Sequence, residues 1–504
     1  MGQNVPNPLD EISEADWAQT PESVKRLVRS LWGHIEQLGQ QYEELKAENA
    51  LLREQVKQNS QNSSKPPSQD VSKGFKAKEK KPKGKRRGAQ FGHEGHASKL
   101  YPVEQCQLIE EHYPERCIEC EAVLNGSDPD PYRVQIVEIP PVAPIVQEHR
   151  FHALSCECCG AATRAWDEAI INGSRYGERV VAHVGVLSGQ YRQSHRMVQE
   201  LLGELFGVEL SVGSINQLRQ ESSTSVATAA RDAQAYVQQQ AQVNMDETSF
   251  AQGNSDGKNA LGSKGWLWVI VTPLVSYFTV WLSRSGAVCQ QLLGDTFVGI
   301  IGSDRYSAYN HLELQRRQLC WAHLKRDFTR IAERAGISGE LGLALLEQQR
   351  LLFEQWYRVR DGTLSRTEFA ACVQPIQQQI RQLLSVGASY EIAPHEKTPL
   401  AKTVRTCQQL LKVEPAFWTF VTTVGIEPTN NAAERALRPA VLWRKNSFGS
   451  QSEAGSLFVS RMLTVVTTLR SQNRPVLDYL VDACRAARQG HPAPSLLPVD
   501  DCTL

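Results

Sequence analysis

The chain has 504 residues, and 41% of them are hydrophobic, which suits two to four domains with sizeable cores. Lys and Arg number 55 and Asp and Glu number 55, so net charge alone excludes no class of partner. Residues 1–17 are polar and acidic, and Pro273 interrupts the most apolar run, residues 266–282. We therefore expect no secretory signal, no membrane span and a cytoplasmic location, where paired cysteines favour metal over disulfides.

Residues 20–58 carry a heptad repeat. Leucines recur at every seventh position, at Leu31, Leu38, Leu45 and Leu52. The other seam position is mostly apolar but includes Asn49. This spacing predicts a short coiled coil that joins copies of the chain, with Asn49 setting the register. The alternative is a single amphipathic helix that packs on its own domain.

The segment 59–100 lacks apolar periodicity and is rich in Ser, Pro, Lys, Gly and Gln. A segment of this composition cannot bury a core, which predicts a flexible linker. Nine Lys or Arg but only one acidic residue, Glu79, lie between Lys73 and Arg87. Such a basic stretch fits an arm that contacts nucleic acid, although solvated linkers often have the same composition.

Four cysteines in residues 101–172 have the spacing of metal ligands. They form two C-x-x-C pairs, Cys117 with Cys120 and Cys156 with Cys159. Four thiolates suit tetrahedral Zn²⁺, so the pairs predict a structural zinc site in a zinc-ribbon-like module, with unligated thiols as the alternative. Cys158 lies inside the second pair and leaves the choice of ligands open. Alternating apolar residues in 134–139 predict strands between the pairs.

Residues 173–240 are predicted to be helical. A helix that includes Met197 is followed by a break near Gly207 and by a second helix that Ser211 or Ser214 caps. This order resembles a helix-turn-helix, which reads DNA with its second helix. An ordinary helical hairpin would have the same pattern.

From residue 241 the pattern changes to buried strands. Short apolar runs predict strands that end at Asp246 and Asp304, with further strands at 266–272 and 277–282. A later helix, after Asn430 and Asn431, carries Glu434. The predicted fold class is α/β multidomain. Its remaining parts are the first part of a core (241–325), an all-helical insertion (326–423), the C-terminal part of the core (424–485) and a tail (486–504).

Asp246, Asp304 and Glu434 are the predicted catalytic residues. DNA cleavage and strand transfer need an activated nucleophile, a stabilised leaving oxygen and in-line geometry, which two divalent ions provide together. Mg²⁺ or Mn²⁺ prefers carboxylate and water oxygens, so these acids suit a two-metal site. Each acid alone is a weak indication, because strand-end aspartates often cap turns and Glu434 could pair with Arg438. Glu247 is a rival to Asp246, but it would face the other side of the strand.

Basic residues flank these acids. The candidates for contacts with DNA phosphates are Arg305, Arg435, Arg438, Arg444 and Lys445, with a solvated charged helix face as the alternative. Cys320 and His323 form a C-x-x-H motif, but no partner pair is evident nearby, so metal binding there is disfavoured. His323 is predicted to contact DNA or to support the active site, and a structural histidine is the alternative.

The chain resembles the transposases of the insertion sequence sixty-six family, bacterial enzymes of the DDE class, over nearly its whole length. The resemblance rests on the leucine repeat, the cysteine pairs and the segments Asn62–Ser68, Gly92–His96, Cys320–His323, Asn430–Asn446 and Ser447–Gly455. It implies an RNase H-like catalytic core with a helical insertion, and its DDE triad corresponds to Asp246, Asp304 and Glu434. The linker departs from the family pattern at Gly88–Gly92, which affects no catalytic residue.

The sequence therefore predicts a nucleoid-associated DNA transposase that cuts at terminal inverted repeats and inserts the ends into target DNA. It would use Mg²⁺ or Mn²⁺ at the acids and structural Zn²⁺ at the cysteines, and act as a homo-oligomer. The resemblance also makes accessory proteins of the same element possible partners. One alternative is a transposase-derived regulator that binds DNA without cutting it. Another is a zinc-dependent scaffold, which leaves the acids unexplained. A metal-dependent nuclease would cut without joining.

Overall fold

The structure is a computed structural model that describes residues 13–59, 62 and 100–498. Within these residues the chain is a mixed α/β protein with two sheets, and none of its helices is long and apolar enough to cross a membrane. The described residues form two compact units. Residues 13–59, 62, 151–200 and 210–498 belong to the first, and residues 100–150 and 201–209 belong to the second.

The helices and strands, in chain order, are as follows. The helices are α1 (Glu14–Gln19), α2 (Glu22–Lys57), α3 (Glu168–Ile171), α4 (Glu178–Gly189), α5 (His195–Phe206), α6 (Val212–Ser225), α7 (Ala227–Gln238), α8 (Gly286–Leu293), α9 (Trp321–Ala332), α10 (Ile337–Arg360), α11 (Arg366–Ala388), α12 (Pro399–Val413), α13 (Thr419–Thr422), α14 (Asn431–Ser447), α15 (Glu453–Ser471) and α16 (Val476–Arg488). The strands are β1 (Ala153–Ser155), β2 (Ala162–Arg164), β3 (Gln242–Ser249), β4 (Trp266–Val271), β5 (Ser276–Trp281), β6 (Ile300–Ser303) and β7 (Arg317–Leu319).

The long helix α2 exposes the apolar seam of the heptad repeat. Its four heptad leucines are each more than half exposed, and Leu38 reaches 63%. The leucines therefore do not pack into a core of the described chain, which leaves their apolar surface available to a second helix. Association of copies through this seam stays a prediction.

A five-stranded mixed sheet forms the centre of the first unit, in the order β5-β4-β3-β6-β7. Strands β3, β4 and β5 are successive antiparallel neighbours, whereas β6 and β7 run parallel to β3. The strands predicted at 266–272 and 277–282 are confirmed, with a turn in which the Thr272 amide donates to the Val275 carbonyl. The mixed α/β class of the prediction is confirmed.

Helix α15 closes the β5 edge of this sheet. The backbone amides of Ser276 and Phe278 donate to the hydroxyls of Thr468 and Thr464, at 3.1 and 3.0 Å. An edge strand would otherwise present these N–H groups unpaired, and burying unpaired amides is unfavourable. The helix packs over them with a nearly continuous apolar face that includes Met462 and Leu469.

Helices α9–α13, between β7 and α14, form a separate core of large aromatic side chains. Trp321 contacts Phe417 at 5.9 Å between ring centroids, and Phe420 contacts Trp356 at 5.3 Å and Phe369 at 5.9 Å. Edge-to-face and tilted ring pairs at such distances stabilise a core beyond their buried area. The helical character predicted for residues 326–423 is confirmed.

The strands predicted at residues 134–139 are absent. Val134 is 74% exposed and Ile136 is 94% exposed, and this segment has no regular secondary structure. An alternating pattern forms a strand only when a partner strand and a core take up its hydrogen bonds and its apolar face, and here neither is available. The next strands along the chain are β1 and β2, a short antiparallel hairpin.

Candidate active site

The sequence predicts a strand that ends at Asp246, but Asp246 lies in the middle of β3. The strand continues to Ser249 because its antiparallel partner β4 pairs with it up to Ser249 and Trp266. Along β3, Val243, Met245 and Glu247 are buried on one face, and Asp246 points to the other. The amide of Glu247 donates to the Asp246 carboxylate at 2.8 Å and restricts its orientation.

Asp304 follows β6 directly, and its carboxylate accepts a hydrogen bond of 2.8 Å from the Tyr306 amide. Strands β3 and β6 are parallel neighbours whose pairing joins Asn244 to Gly302, an offset of 58 residues. Asp246 and Asp304 are separated by the same number, since 304 − 246 = 58. The two aspartates are therefore level with each other on adjacent strands.

Glu434 belongs to the first turn of α14, and Asn430 ties the start of this helix to β3. The Asn430 amide group donates to the Met245 carbonyl at 2.7 Å, and its oxygen accepts from the Asn244 side chain at 2.9 Å. Asn430 is 1% exposed. Sequence reasoning gave no role to Asn430, although the pair Asn430–Asn431 before the glutamate was a recognisable feature.

The three acids share one electrostatic environment. Burial, followed by the charges of Glu247, Asp304 and Glu434, raises the pKa of Asp246 well above its ordinary value. Like charges held together disfavour ionisation of each other, and a bound cation relieves this repulsion. Oxygen ligands that repel one another in this way fit a hard divalent cation.

Glu247, the rival to Asp246, lies on the opposite face of β3, where its carboxylate is already paired with other side chains. Arg284 pairs with its carboxylate at 2.6 Å, and the Tyr309 hydroxyl donates to its other oxygen. Burial and the charge of Asp304 still raise the pKa of Glu247. A carboxylate with an arginine and a tyrosine as partners has less capacity for a metal than Asp246 has.

Cys320, His323 and Glu434 form a second cluster next to these acids. Their ligand atoms all lie within 4.8 Å of one another, and His323 Nδ1 is 3.6 Å from Glu434 Oε1. Both of these atoms are buried and have no hydrogen-bond partner among the described residues. Burial raises the pKa of the Cys320 thiol to about 11. The sequence contained the C-x-x-H motif but not its proximity to Glu434.

The predicted phosphate-binding residues are in different situations. Arg435, Arg438 and Lys445 are exposed on α14. Arg305 is instead held by Asp327 in an ion pair of 3.0 Å, which leaves it less available than the sequence suggested.

Arg444 is partly buried at the end of α14, and its guanidinium donates to the Ser249 carbonyl at 2.6 Å. Burial lowers its pKa. With Lys264, Lys445 and the 84% exposed Phe448, it lines a surface cavity of about 630 Å³. This end of α14 and β3 therefore presents cations and an aromatic ring to solvent.

The two cysteine pairs have the same local backbone. The amides of Cys117 and Cys156 donate to the carbonyls five residues later, Ala122 and Ala161, each at 2.9 Å. The fourth residue after each of these cysteines has a left-handed backbone, Glu121 with φ 58° and Gly160 with φ 75°. Backbone amides of the same turn lower the pKa of Cys117 and of Cys156. Zinc binding by the four thiols stays a prediction.

The helix-turn-helix-like segment consists of α5, a break and α6. Gly207 follows α5 with a left-handed φ of 63°, and the Ser211 hydroxyl accepts from the Ser214 amide at 3.0 Å. A glycine after one helix and a serine cap before the next account for both boundaries. DNA reading by α6 stays a prediction.

Comparison with known proteins gives two family matches and one relative. Residues 173–457, more than half of the chain, match the family described as "Transposase IS66 family", and residues 13–99 match a family of unknown function, DUF6444. "Uncharacterized protein y4qI" of Sinorhizobium fredii (strain NBRC 101917 / NGR234) is 26% identical over 426 residues, which cover 79% of this chain and 75% of that protein. All residues of the two side-chain clusters lie inside the first match.

Proposed function

Because the chain belongs to the transposase IS66 family, we propose that it is a DDE-type DNA transposase that cuts at terminal inverted repeats and joins the ends to target DNA. The observation that carries this proposal is the convergence of Asp246, Asp304 and Glu434. Asp246 lies on β3, Asp304 directly follows the neighbouring parallel strand β6, and Glu434 lies in the first turn of a helix that is tied to β3. Like charges gathered near buried Asp246 are unfavourable for folding and are useful to a cation.

We propose further that residues 241–325 and 424–485 form an RNase H-like core, with 326–423 as its helical insertion. The mixed sheet supports this, because two of its neighbouring strands carry acids and the third acid follows an all-helical segment. The separate aromatic core of α9–α13 supports its treatment as an insertion.

Asp246, Asp304 and Glu434 would hold two Mg²⁺ or Mn²⁺ ions. When bound, such ions activate the attacking oxygen and stabilise the leaving oxygen of a phosphodiester. The protein contributes the rigid position of each carboxylate: strand pairing fixes Asp246, the turn to Tyr306 fixes Asp304, and Asn430 fixes the helix of Glu434. This preorganisation is what a phosphoryl-transfer site requires of its side chains.

The reaction needs no covalent protein–DNA intermediate, so no serine or tyrosine nucleophile is assigned. Water attacks a phosphate at the element end, the phosphorus–3′ oxygen bond breaks, and a 3′-hydroxyl is left on the element. That hydroxyl then attacks a target phosphate and displaces its 3′ oxygen. The exposed cations Arg435, Arg438 and Lys445 would neutralise the DNA backbone, with Arg305, His323 and Arg444 as further candidates.

Recognition and assembly are proposed for the other segments. The four cysteines would bind structural Zn²⁺, and their matching turns support this. The cysteine module and α5–α6 would read the terminal repeats. The exposed leucine seam of α2 supports pairing of protomers, which would hold two DNA ends together. We further propose a cytoplasmic, nucleoid-associated protein that works with accessory proteins of the same element.

The deciding experiment uses labelled DNA that carries the element's own terminal repeats. Wild type is compared with Asp304→Asn and Glu434→Gln, with Mg²⁺ and with chelator. Metal-dependent cutting by wild type alone supports the proposal, and transfer to a second DNA distinguishes a transposase from a nuclease. Binding without cutting, even after accessory proteins are added, would favour the alternative of an inactive DNA-binding regulator.

A further inference from the structure

The cluster of Cys320, His323 and Glu434 goes beyond the proposed reaction, because it combines a thiol and an imidazole with a proposed catalytic carboxylate. Cys320 caps α9, and its backbone amide donates to the Ser303 carbonyl at 2.9 Å. His323 follows one turn later on the same helix, and Glu434 comes from α14. Residues three apart on a helix lie on one face, so the motif directs both ligands towards α14.

We propose that these three residues form a site for a soft divalent transition metal such as Zn²⁺, and that its occupation withdraws Glu434 from the Asp246 and Asp304 carboxylates. Sulfur and imidazole ligands select zinc over magnesium, because Mg²⁺ is hard and prefers oxygen. Three protein ligands with one open position are a common zinc arrangement. Since Glu434 is a ligand of both sites, an ion at one of them competes for this carboxylate with an ion at the other.

The distances suit zinc. Bond lengths of about 2.0–2.1 Å to nitrogen and to oxygen in a tetrahedron put those two ligand atoms about 3.3 Å apart. His323 Nδ1 and Glu434 Oε1 are 3.6 Å apart, so a small side-chain rotation closes the difference. All three ligand atoms lie within 4.8 Å of one another.

A second observation also points to a ligand at this place. Buried polar atoms nearly always have a hydrogen-bond partner. His323 Nδ1 and Glu434 Oε1 are both buried without one among the described residues, and they face each other. A metal between them would satisfy both atoms at once.

The scaffold of the site is rigid. The backbone amide of Asn430 donates to Cys320 Sγ at 3.1 Å, and the side-chain amide of the same residue donates to the Met245 carbonyl. Asn430 therefore connects the sulfur, the start of α14 and strand β3. The Trp321 amide donates to the Pro428 carbonyl at 2.9 Å and joins α9 to the segment before α14. Ligands held in this way lose little freedom when an ion binds.

The test is Co²⁺ binding by the metal-free full chain, because Co²⁺ occupies zinc sites and absorbs strongly when a thiolate is a ligand, and the ions bound at the C-x-x-C pairs are common to all variants. Wild type is compared with Cys320→Ser, His323→Ala and the control Cys407→Ser, which removes an equally buried thiol from the helical insertion. Cys320→Ser is expected to bind about one ion fewer, and His323→Ala to bind that ion at least about tenfold more weakly. Equal stoichiometry and absorption in wild type and both site variants would overturn the proposal.

The consequence for Glu434 rests on the proposed function and is measured separately. For each variant the measured quantity is the rate of Mg²⁺-dependent cleavage with zinc divided by the rate without zinc. This ratio is expected to be lower for wild type and Cys407→Ser than for Cys320→Ser. If no variant cuts DNA, the proposed function fails, and the cobalt stoichiometry still decides whether the metal site exists. Equal inhibition of all variants would contradict the competition between the two sites.

Discussion

Asp304, directly after β6, is offset from Asp246 by 58 residues, the same offset that pairs the residues of β6 with those of the neighbouring parallel strand β3. Burial, followed by the charges of Glu247 and then Asp304, raises the pKa of Asp246. The folded state consequently favours protonated Asp246. The destabilisation sets in as the pH rises from the ordinary carboxyl pKa through the raised one, and it is present above both.

Asp304→Asn is therefore expected to stabilise the metal-free protein at neutral pH by about 1 kcal/mol, because it removes one of the charges that repel ionised Asp246. Thermal unfolding in chelator and in Mg²⁺ measures this. Mg²⁺ should stabilise wild type and have little effect on the variant. Asp295→Asn, at an exposed acid, is the control and should change neither value. A variant less stable than wild type in chelator would argue against repulsion at this pair.

Asn430→Ala is expected to lower the free energy of unfolding by about 1–3 kcal/mol, because it leaves the Met245 carbonyl and the Asn244 amide without a partner. It should also weaken Mg²⁺ binding, since the helix of Glu434 loses its attachment to β3. The control is Asn431→Ala, whose side chain is exposed one residue later. Urea unfolding and Mg²⁺ titration measure the two effects. Equal behaviour of both variants would show that Asn430 does not position Glu434.

How much the sequence predicted depends on the range of the interactions. The strands at 266–271 and 276–281 and the helix of Glu434 followed from local pattern, because buried strands and capped helices have clear periodicity. Residues 134–139 have an alternating apolar pattern that is also typical of strands, yet no partner strand takes up their hydrogen bonds. Pattern identifies an apolar face, but it does not supply the surface that covers that face.

The contacts that sequence reasoning missed all join distant segments. Asn430 reaches Met245 across 185 residues. Cys320 and His323 meet Glu434 only because the helical insertion brings the chain back to β7. In the sequence alone the C-x-x-H motif therefore had no visible further ligand. The offset of 58 residues between the aspartates is, in contrast, visible in the sequence. Only the register of β3 and β6 shows that this offset brings the two aspartates to the same height in the sheet.

Glu121→Gly is expected to stabilise the first cysteine turn by about 1 kcal/mol, because glutamate at φ 58° has a left-handed backbone that glycine adopts without cost. Gly160→Glu is the matched reverse change, since glycine occupies the same position in the second turn and nothing lies within 4 Å of an added Cβ. Zinc retention against a chelator measures both. We expect slower release with Glu121→Gly and faster release with Gly160→Glu. The same direction for both variants would contradict the explanation.

Arg438→Ala and Lys445→Ala are expected to weaken DNA binding by a similar factor for all sequences and to reduce the slope of log K against log salt by about one each. Both side chains are exposed on the helix that carries Glu434. Arg350→Ala is the control, because that exposed arginine is paired with Glu347 and Glu354 on the helical insertion. Fluorescence anisotropy at several salt concentrations measures the slopes. An unchanged slope in either variant would remove that residue from the DNA interface.

Leu38→Lys is expected to separate the protomers, because Leu38 is 63% exposed in the single chain and lies in the middle of the leucine seam. A charge buried between two paired helices is strongly unfavourable, whereas the same charge in a monomer remains solvated. Light scattering after gel filtration gives the mass, and Glu44→Lys, off the leucine seam on an exposed position of α2, is the control. The monomeric variant should still bind a single DNA end but should fail to join paired ends. If Leu38→Lys keeps the mass of wild type, the protomers associate through another surface, and the exposed seam then needs a different partner.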